Sequence, residues 1–339
     1  MTQVAVYGAY GHTGRFVVAE LASRGYVPLA VGRDADKLRS LTGIEARQAS
    51  ADDPAALDRA LAGAAAVINT AGPFATTAGP LVEAALRAGI PYIDVAAEIE
   101  ANADTFAHYA DRARADGAIV VPAMAFYGGL GDLLVTAVMG DWPSADEVHV
   151  AYGLSSWHPT GGTVASGVIS GERRGGRRVR FTGGTLQYHD DALPTVSWPF
   201  PAPLGPQDVI AEFTMADVVT VPSHLHVPEV RTYMTAKAAA DLYANAAAPT
   251  AVDSLGRSDQ TFVIDVLIRR GDEERRVIAE GQDIYAITAP LAVEAVDRIL
   301  TDRTKATGVL SAGAIFDAPD FLRALGSNLM VQAPGRSRA

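Results

Sequence analysis

Through the first 122 residues, short β-branched runs alternate with longer stretches whose apolar residues recur every three to four positions. Strands are predicted at residues 4–7, 26–31, 46–49, 65–69, 92–95 and 118–121. Between them the spacing predicts helices at 14–23, 34–41, 54–61, 77–88 and 101–116. Asp34 and Asp53 stand where helix caps belong, Pro54 opens its helix, and Gly89 and Gly117 close two others. Such alternation requires parallel βαβ crossovers, so this part reads as a doubly wound α/β sheet. After Pro122 the pattern changes. Residues 125–285 are richer in aromatics, prolines and glycines, with strand-like stretches at 148–154, 179–182, 260–269 and 276–282. They predict a mixed α+β domain with an antiparallel sheet. Three units follow: a dinucleotide-binding domain (1–124), a substrate and oligomerisation domain (125–287), and a C-terminal segment (288–335). That segment opens on an amphipathic helix at 288–302 and is expected to pack back on the first domain, with the GRSRA end frayed.

Composition narrows the function classes. The chain has 339 residues, 49% hydrophobic and only 20% charged, which excludes a disordered chain. Its net charge is −11, and residues 1–124 hold 10 basic against 14 acidic side chains. Neither part offers the concentrated positive charge that nucleic acid or a polybasic membrane surface requires. With no cysteine there is no disulfide, thiol nucleophile or cysteine-ligated metal. The longest apolar run, 118–131, contains Pro122 and three glycines and falls short of the ~20 residues of a membrane span. The N-terminus lacks the basic segment of a signal peptide. These features predict a cytoplasmic protein, and the large apolar content suggests a homodimer.

The first predicted strand runs into Gly8-Ala9-Tyr10-Gly11-His12-Thr13-Gly14-Arg15, a G-x-x-G-x-x-G loop opening a helix. One glycine makes the tight turn, the next admits a pyrophosphate close to the backbone, and Gly14 lets helix and strand approach. The helix N-terminus adds N–H donors and partial positive charge. The second strand ends Val31-Gly32-Arg33-Asp34, with Lys37 one turn later. Where an NAD site places an acidic residue for the ribose, this chain has Arg33, suited to a 2′-phosphate. NADP (as NADPH) is therefore expected ahead of NAD, with Asp34 as a helix cap. Thr70, Ala71, Gly72 and Pro73 follow the fourth strand and leave room for a cofactor at the sheet edge. The cofactor-binding residues are thus Gly8, Tyr10, Gly11, His12, Thr13, Gly14, Arg33, Lys37, Thr70, Ala71, Gly72 and Pro73.

Together these segments resemble the saccharopine dehydrogenase-like group of NAD(P)-dependent oxidoreductases, which includes the trans-acting enoyl reductases. The matching pieces are YGAYGHTGR (7–15), VGRDADKL (31–38), VINTAGPF (67–74) and YIDVAAE (92–98), with FYGGLGDLL (126–134) and SSWHPTGGTVASG (155–167) less diagnostic. The resemblance implies a Rossmann-type domain, a mixed substrate domain, and reduction of a C=N, C=C or C=O bond of a small molecule by a nicotinamide. Relatives carry a glycine-phenylalanine-aspartate-proline-glycine type of junction where this chain has Ala125-Phe126-Tyr127-Gly128-Gly129, so no acidic role carries over there.

Hydride transfer needs a proton donor beside the nicotinamide. Tyr127, His158 and Asp94 are the catalytic candidates. Tyr127 follows the sixth strand, His158 sits in the WHPTGGT loop as a residue type able to pass a proton, and Asp94 ends the fifth strand. Residues 160–163 read as a turn, with an anion-binding nest as the alternative. The ERRGGRRVR run reads as a solvated hairpin. Tyr233 and Lys237 match the Y-x-x-x-K pair of short-chain dehydrogenases, but lie outside the αβ alternation. His224, His226 and Glu229 do not make a convincing metal site, and no metal is expected. A cofactor-binding sensor or scaffold without turnover is the alternative function; the large second domain favours an enzyme.

Overall fold

In the computed structural model, which describes residues 2–244 and 247–338, the βαβ alternation closes into a first sheet. Its elements run β1 (Gln3–Tyr7), α1 (His12–Ser23), β2 (Val27–Gly32), α2 (Ala35–Arg39), β3 (Glu45–Gln48), α3 (Pro54–Leu61) and β4 (Ala66–Asn69). They continue with α4 (Phe74–Ala88), β5 (Tyr92–Asp94), α5 (Ile99–Ala115) and β6 (Ile119–Val121). A kinked turn, Phe126–Leu130, in which Tyr127 and Gly128 have non-helical backbone, then leads into α6 (Gly131–Met139).

The second half contains β7 (Glu147–Leu154), α7 (Gly161–Arg173), β8 (Arg178–Thr182), β9 (Thr185–His189), β10 (Thr195–Pro199) and β11 (Pro206–Ala211). After these come α8 (Asp217–Thr220), β12 (Glu229–Thr235), α9 (Ala236–Tyr243), β13 (Thr261–Arg270) and β14 (Glu273–Gln282). The chain finishes with α10 (Thr288–Leu300), β15 (Gly308–Val309), α11 (Ala312–Ile315), α12 (Ala318–Ala324) and β16 (Met330–Arg338).

The first sheet has strand order β15-β6-β5-β4-β1-β2-β3, all parallel. Apart from the largely exposed edge strand β3, its strands are buried on both faces, as in a parallel sheet under helices. Leu57, Leu61, Leu81 and Val82 of α3 and α4 cover one side; Val17, Val18 and Leu21 of α1 cover the other. The order reverses between β1 and β4, and that switch point opens a crevice at the carboxyl ends of the strands.

The second sheet runs β10-β11-β12-β7-β13-β14-β16, with β8 and β9 attached beside β12. It is mixed rather than purely antiparallel, because β12 lies parallel to β7. The C-terminal segment divides between the sheets. Helix α10 lies against α1, where Glu294 accepts from Arg24 (2.6 Å) and Asp297 from the Tyr26 hydroxyl (2.7 Å). Strand β15 extends the first sheet, and β16 pairs antiparallel with β14. The tail expected to fray is therefore ordered as a strand up to Arg338, because β14 otherwise presents a free edge. No helix of the described residues is long and apolar enough to cross a membrane.

Candidate active site

The glycine loop at the end of β1 fits the switch-point crevice closely. Gly8 has φ +86°, and a Cβ there would lie 2.8 Å from the Ala71 Cβ. A Cβ on Gly14 would overlap the Gly8 carbonyl and lie 2.9 Å from Thr70 Oγ1. Both positions need glycine for close approach of α1 to β1 and β4. Gly11 is the N-cap of α1, with extended backbone, and its amide bonds to the Gly8 carbonyl at 2.8 Å. A cleft of about 470 Å³ opens in front of this loop.

Of the residues expected to hold the cofactor, Gly8, Tyr10, Gly11, His12, Thr13, Arg33, Thr70, Ala71, Gly72 and Pro73 line the cleft. Gly14 and Lys37 do not. Gly14 is buried against the loop's own backbone, and the Lys37 ammonium lies 3.5 Å from Asp34 and 5.7 Å from the centre of the Tyr10 ring. Asp34 is the cap of α2, as expected, accepting from the amides of Asp36 (3.1 Å) and Lys37 (3.0 Å). These amides and the Lys37 charge hold its carboxyl below the usual carboxylate range. The Arg33 guanidinium has no carboxylate partner among the described residues, while its carbonyl is fixed by the Gln48 side chain at 2.9 Å.

Two further parts of the wall carried no signal in the sequence, and a third was expected as a turn, with an anion-binding nest as the alternative. Ser50, Ala51 and Asp52 come from the β3–α3 loop, and Thr76 and Thr77 from the first turns of α4. The third is Thr160-Gly161-Gly162, the start of α7, which faces the cleft from the second half of the chain. Residues 160–163 are therefore a helix N-terminus, not an isolated turn. Thr160 caps it by accepting from the Thr163 amide at 3.1 Å. The Thr160-x-x-Thr163 spacing before Val164 was the available signal. Tyr285 pins this end: its hydroxyl accepts from the Thr160 amide (3.2 Å) and the Trp157 indole (3.3 Å) and lies 2.9 Å from Thr163 Oγ1. Helix α7 also approaches Gly72 closely, since a Cβ there would lie 2.5 Å from Ser166 Oγ.

The candidates for proton transfer separate. Asp94 is fully buried; its carboxylate accepts from Tyr92 Oη (2.8 Å) and the amides of Ala96 (3.0 Å) and Ala123 (2.8 Å). It ties β5 to the turn after β6. This corrects its expected place beside a substrate, because every donor it meets belongs to the scaffold. His158 is not among the cleft-lining residues; it lies two residues before Thr160, with Nδ1 3.0 Å from the Ala247 carbonyl. Tyr127 is buried in the kinked turn before α6, with extended backbone, packed against Tyr152 and Trp157 with ring centres 4.9 and 5.4 Å away. Among the described residues its hydroxyl has no hydrogen-bond partner. Burial, then the neighbouring Tyr285 and Asp217, push its pKa well above the ordinary tyrosine value.

Behind Tyr127 lies an acidic cluster. The Tyr152 hydroxyl is 2.9 Å from both oxygens of the buried Asp217, and Thr220 Oγ1 donates to the Gly128 carbonyl at 3.2 Å. Helix α8 thus holds the turn that carries Tyr127. Burial raises the Asp217 pKa to about 7, with Asp132 adding repulsion and the Tyr152 bond opposing the rise. Asp132 accepts from the Gly313 amide (2.7 Å) and pairs with His224 Nε2 (2.7 Å). Burial works to lower the His224 pKa, but the Asp132 charge and hydrogen bond outweigh it and the net shift is upward.

This arrangement makes a pH prediction. Asp217 keeps its proton up to about pH 7 when folded but only to 3.8 at its ordinary value. Between those limits the folded chain binds more protons, so its contribution to stability falls as pH rises from about 4 through 7. Asp217→Asn removes that slope. Urea denaturation at pH 4.5 and 8 should show the variant gaining a few kcal/mol on wild type across the interval, at about 1.4 kcal/mol per pKa unit. Parallel pH curves for the two proteins would refute it.

Other motifs have structural partners. Tyr233 Oη is 2.8 Å from His149 Nδ1, and Lys237 donates to the Ser155 carbonyl, so the Y-x-x-x-K match is no catalytic pair. Glu229 accepts from Thr182 (2.7 Å) and the Gly183 amide (2.9 Å). The arginine run spans the end of α7 and the start of β8, where Arg173 pairs with Asp104 (2.7 Å), rather than forming one hairpin.

Comparison with known proteins agrees with this geometry. Residues 4–121 match the family described as the saccharopine dehydrogenase NADP binding domain. A probable mitochondrial saccharopine dehydrogenase-like oxidoreductase of Arabidopsis thaliana is 30% identical over 142 residues, 36% of this chain and 31% of that protein. The trans-acting enoyl reductase of Mycobacterium leprae is 31% identical over 143 residues, 39% of this chain and 34% of that protein. The chain thus spans about a third of the length of these curated relatives. The saccharopine dehydrogenase (L-Glu forming) of Saccharomyces cerevisiae superposes over 99% of this chain and 100% of its own, with TM-score 0.66 and 12% identity, which speaks for a shared fold.

Proposed function

We propose that this chain, saccharopine dehydrogenase-like in its N-terminal domain and in its fold, is an NADPH-dependent oxidoreductase that reduces a C=N, C=C or C=O bond of a small molecule. The observation that carries the reading is the glycine cradle at the β1/β4 switch point, with an unpaired Arg33 at the end of β2. The cradle fits a dinucleotide: Gly8 and Gly11 let its pyrophosphate approach the backbone, and the α1 N-terminus offers amides to it. Arg33 would hold the 2′-phosphate. Asp34 is occupied as a cap, which supports NADPH over NADH because a free carboxylate would be needed for the ribose hydroxyl.

When bound, NADPH supplies a hydride. The chain's own part is to hold the substrate in the space between the two sheets and to deliver one proton. Tyr127 and His158 are the donors we assign. Tyr127 is a neutral acid whose hydroxyl has no partner among the described residues, positioned by α8 through Gly128; His158 stands in the loop before α7, with Nδ1 against the Ala247 carbonyl. The Thr160–Gly162 amides complete the wall opposite the glycine loop and would exclude water from the reacting bond.

Cofactor titrations test the reading without a known substrate. Wild type should bind NADPH roughly ten- to a hundredfold more tightly than NADH, the value of one charge-assisted pair. The preference should shrink with salt, since Arg33 is solvent-exposed. Arg33→Ala should remove most of the difference by weakening NADPH and leaving NADH nearly unchanged. Equal wild-type affinities would overturn the assignment.

A further inference from the structure

In a Rossmann-type site the side chain at the end of the second strand meets the ribose 2′ position. Here that strand ends at Gly32, which has no side chain, and the space is not empty. A Cβ on Gly32 would lie 2.6 Å from Tyr10 Cε1 and 3.3 Å from both Cζ and Oη. The Tyr10 ring therefore stands directly against the Gly32 α-carbon. It comes from the glycine loop, between Gly8 and Gly11, so one segment serves both the pyrophosphate cradle and this packing. Two contacts hold it, and a third anchors one of them. The Tyr10 carbonyl accepts from Arg15 Nε at 3.2 Å. The Lys37 ammonium lies 5.7 Å from the ring centre. Asp34 anchors Lys37 in turn, through its amide (3.0 Å) and its ammonium (3.5 Å). Tyr10, Gly32 and Arg33 all line the same cleft.

We propose that the Tyr10–Gly32 contact is a second, steric determinant of cofactor choice, in which the aromatic ring fills the volume where an NAD-type carboxylate would have to stand. The inference rests on the reading of this cleft as an NADPH site and deepens it. Arg33 favours NADPH by attraction; Tyr10 disfavours NADH by occupying the place of the group that would bind its 2′-hydroxyl. Selection therefore uses both a favourable contact for one cofactor and an exclusion against the other.

The contact is tested by a double-mutant cycle read in binding. NADPH, NADH and 2′,5′-ADP are titrated calorimetrically against wild type, Gly32→Asp, Tyr10→Ala and the double variant. Gly32→Asp alone should bind NADH no better than wild type, because its carboxylate arrives against the ring. Adding Tyr10→Ala should then tighten NADH by about tenfold or more relative to Gly32→Asp, a larger gain than the same substitution gives in the wild-type background. If Gly32→Asp does not fold, Gly32→Ala carries the same test: its methyl alone meets the ring, so NADPH should weaken and Tyr10→Ala should restore it. Independent effects, with the double variant equal to the product of the singles, would overturn the inference while leaving the NADPH site intact. Wild type binding none of the three ligands would instead overturn the cofactor reading, and the inference with it.

Discussion

A Gly11→Val protein should fold as wild type does and lose at least about a hundredfold in NADPH affinity, roughly 2.7 kcal/mol or more. Gly11 has φ −67° and ψ 168°, a conformation open to any residue, and a Cβ there meets only the Gly8 carbonyl, at 3.1 Å. The backbone can accept valine, but the branched side chain would sit on a cleft-lining position where the pyrophosphate needs bare main chain. Gly14→Val is the contrasting case. Its Cβ would run into the Gly8 carbonyl and the Ala9 α-carbon, so α1 must move off β1 and the protein should melt several degrees lower. Calorimetric NADPH titration with thermal melts of both variants separates a binding glycine from a packing one. Wild-type affinity in folded Gly11→Val would remove the loop from the site.

Tyr127→Phe should lower kcat by about 10²–10⁴ while leaving NADPH affinity within roughly twofold. The variant is unusually clean. The Tyr127 hydroxyl is buried and has no partner among the described residues, a situation that costs about 1–3 kcal/mol in a folded protein. Removing it relieves that cost and leaves the ring contacts to Tyr152 and Trp157 in place. The variant should therefore be as stable as wild type or more so, and lost turnover would report chemistry rather than folding. His158→Asn is the parallel test in the loop before α7. A panel of imines, enoyl esters and ketones with NADPH supplies the assay. Wild-type turnover by both variants on a compound the enzyme reduces would mean that neither residue is the donor.

The start of α4 shows where local sequence information stops. Periodicity places it at residue 77, whereas the helix begins at Phe74. The cap is Glu98, 24 residues away, whose carboxylate accepts from the amides of Phe74 (2.6 Å) and Ala75 (2.9 Å). No pattern near residue 74 can announce a cap that arrives from the β5–α5 loop. Asp53, by contrast, caps its own helix from the next position, accepting from the Ala56 amide at 2.9 Å, and that helix was legible to the residue. The parallel pairing of β7 with β12 is likewise a contact between segments some 80 residues apart, which strand periodicity leaves open.

The same division runs through the site. The glycine loop, Arg33 and the Asp34 cap were determined by the sequence itself, because each depends on backbone geometry within a few neighbouring residues: a positive φ at Gly8, a helix N-terminus, the position just after a strand. Tertiary structure alone decided what those residues face. It brought Thr160–Gly162 across the cleft from the second half of the chain, set the Tyr10 ring against Gly32, and closed scaffold donors around Asp94. It also left the Tyr127 hydroxyl buried without a partner among the described residues. A side chain's chemistry is written in its identity. Whether it meets solvent, ligand or another buried group depends on chain segments that sequence spacing does not relate.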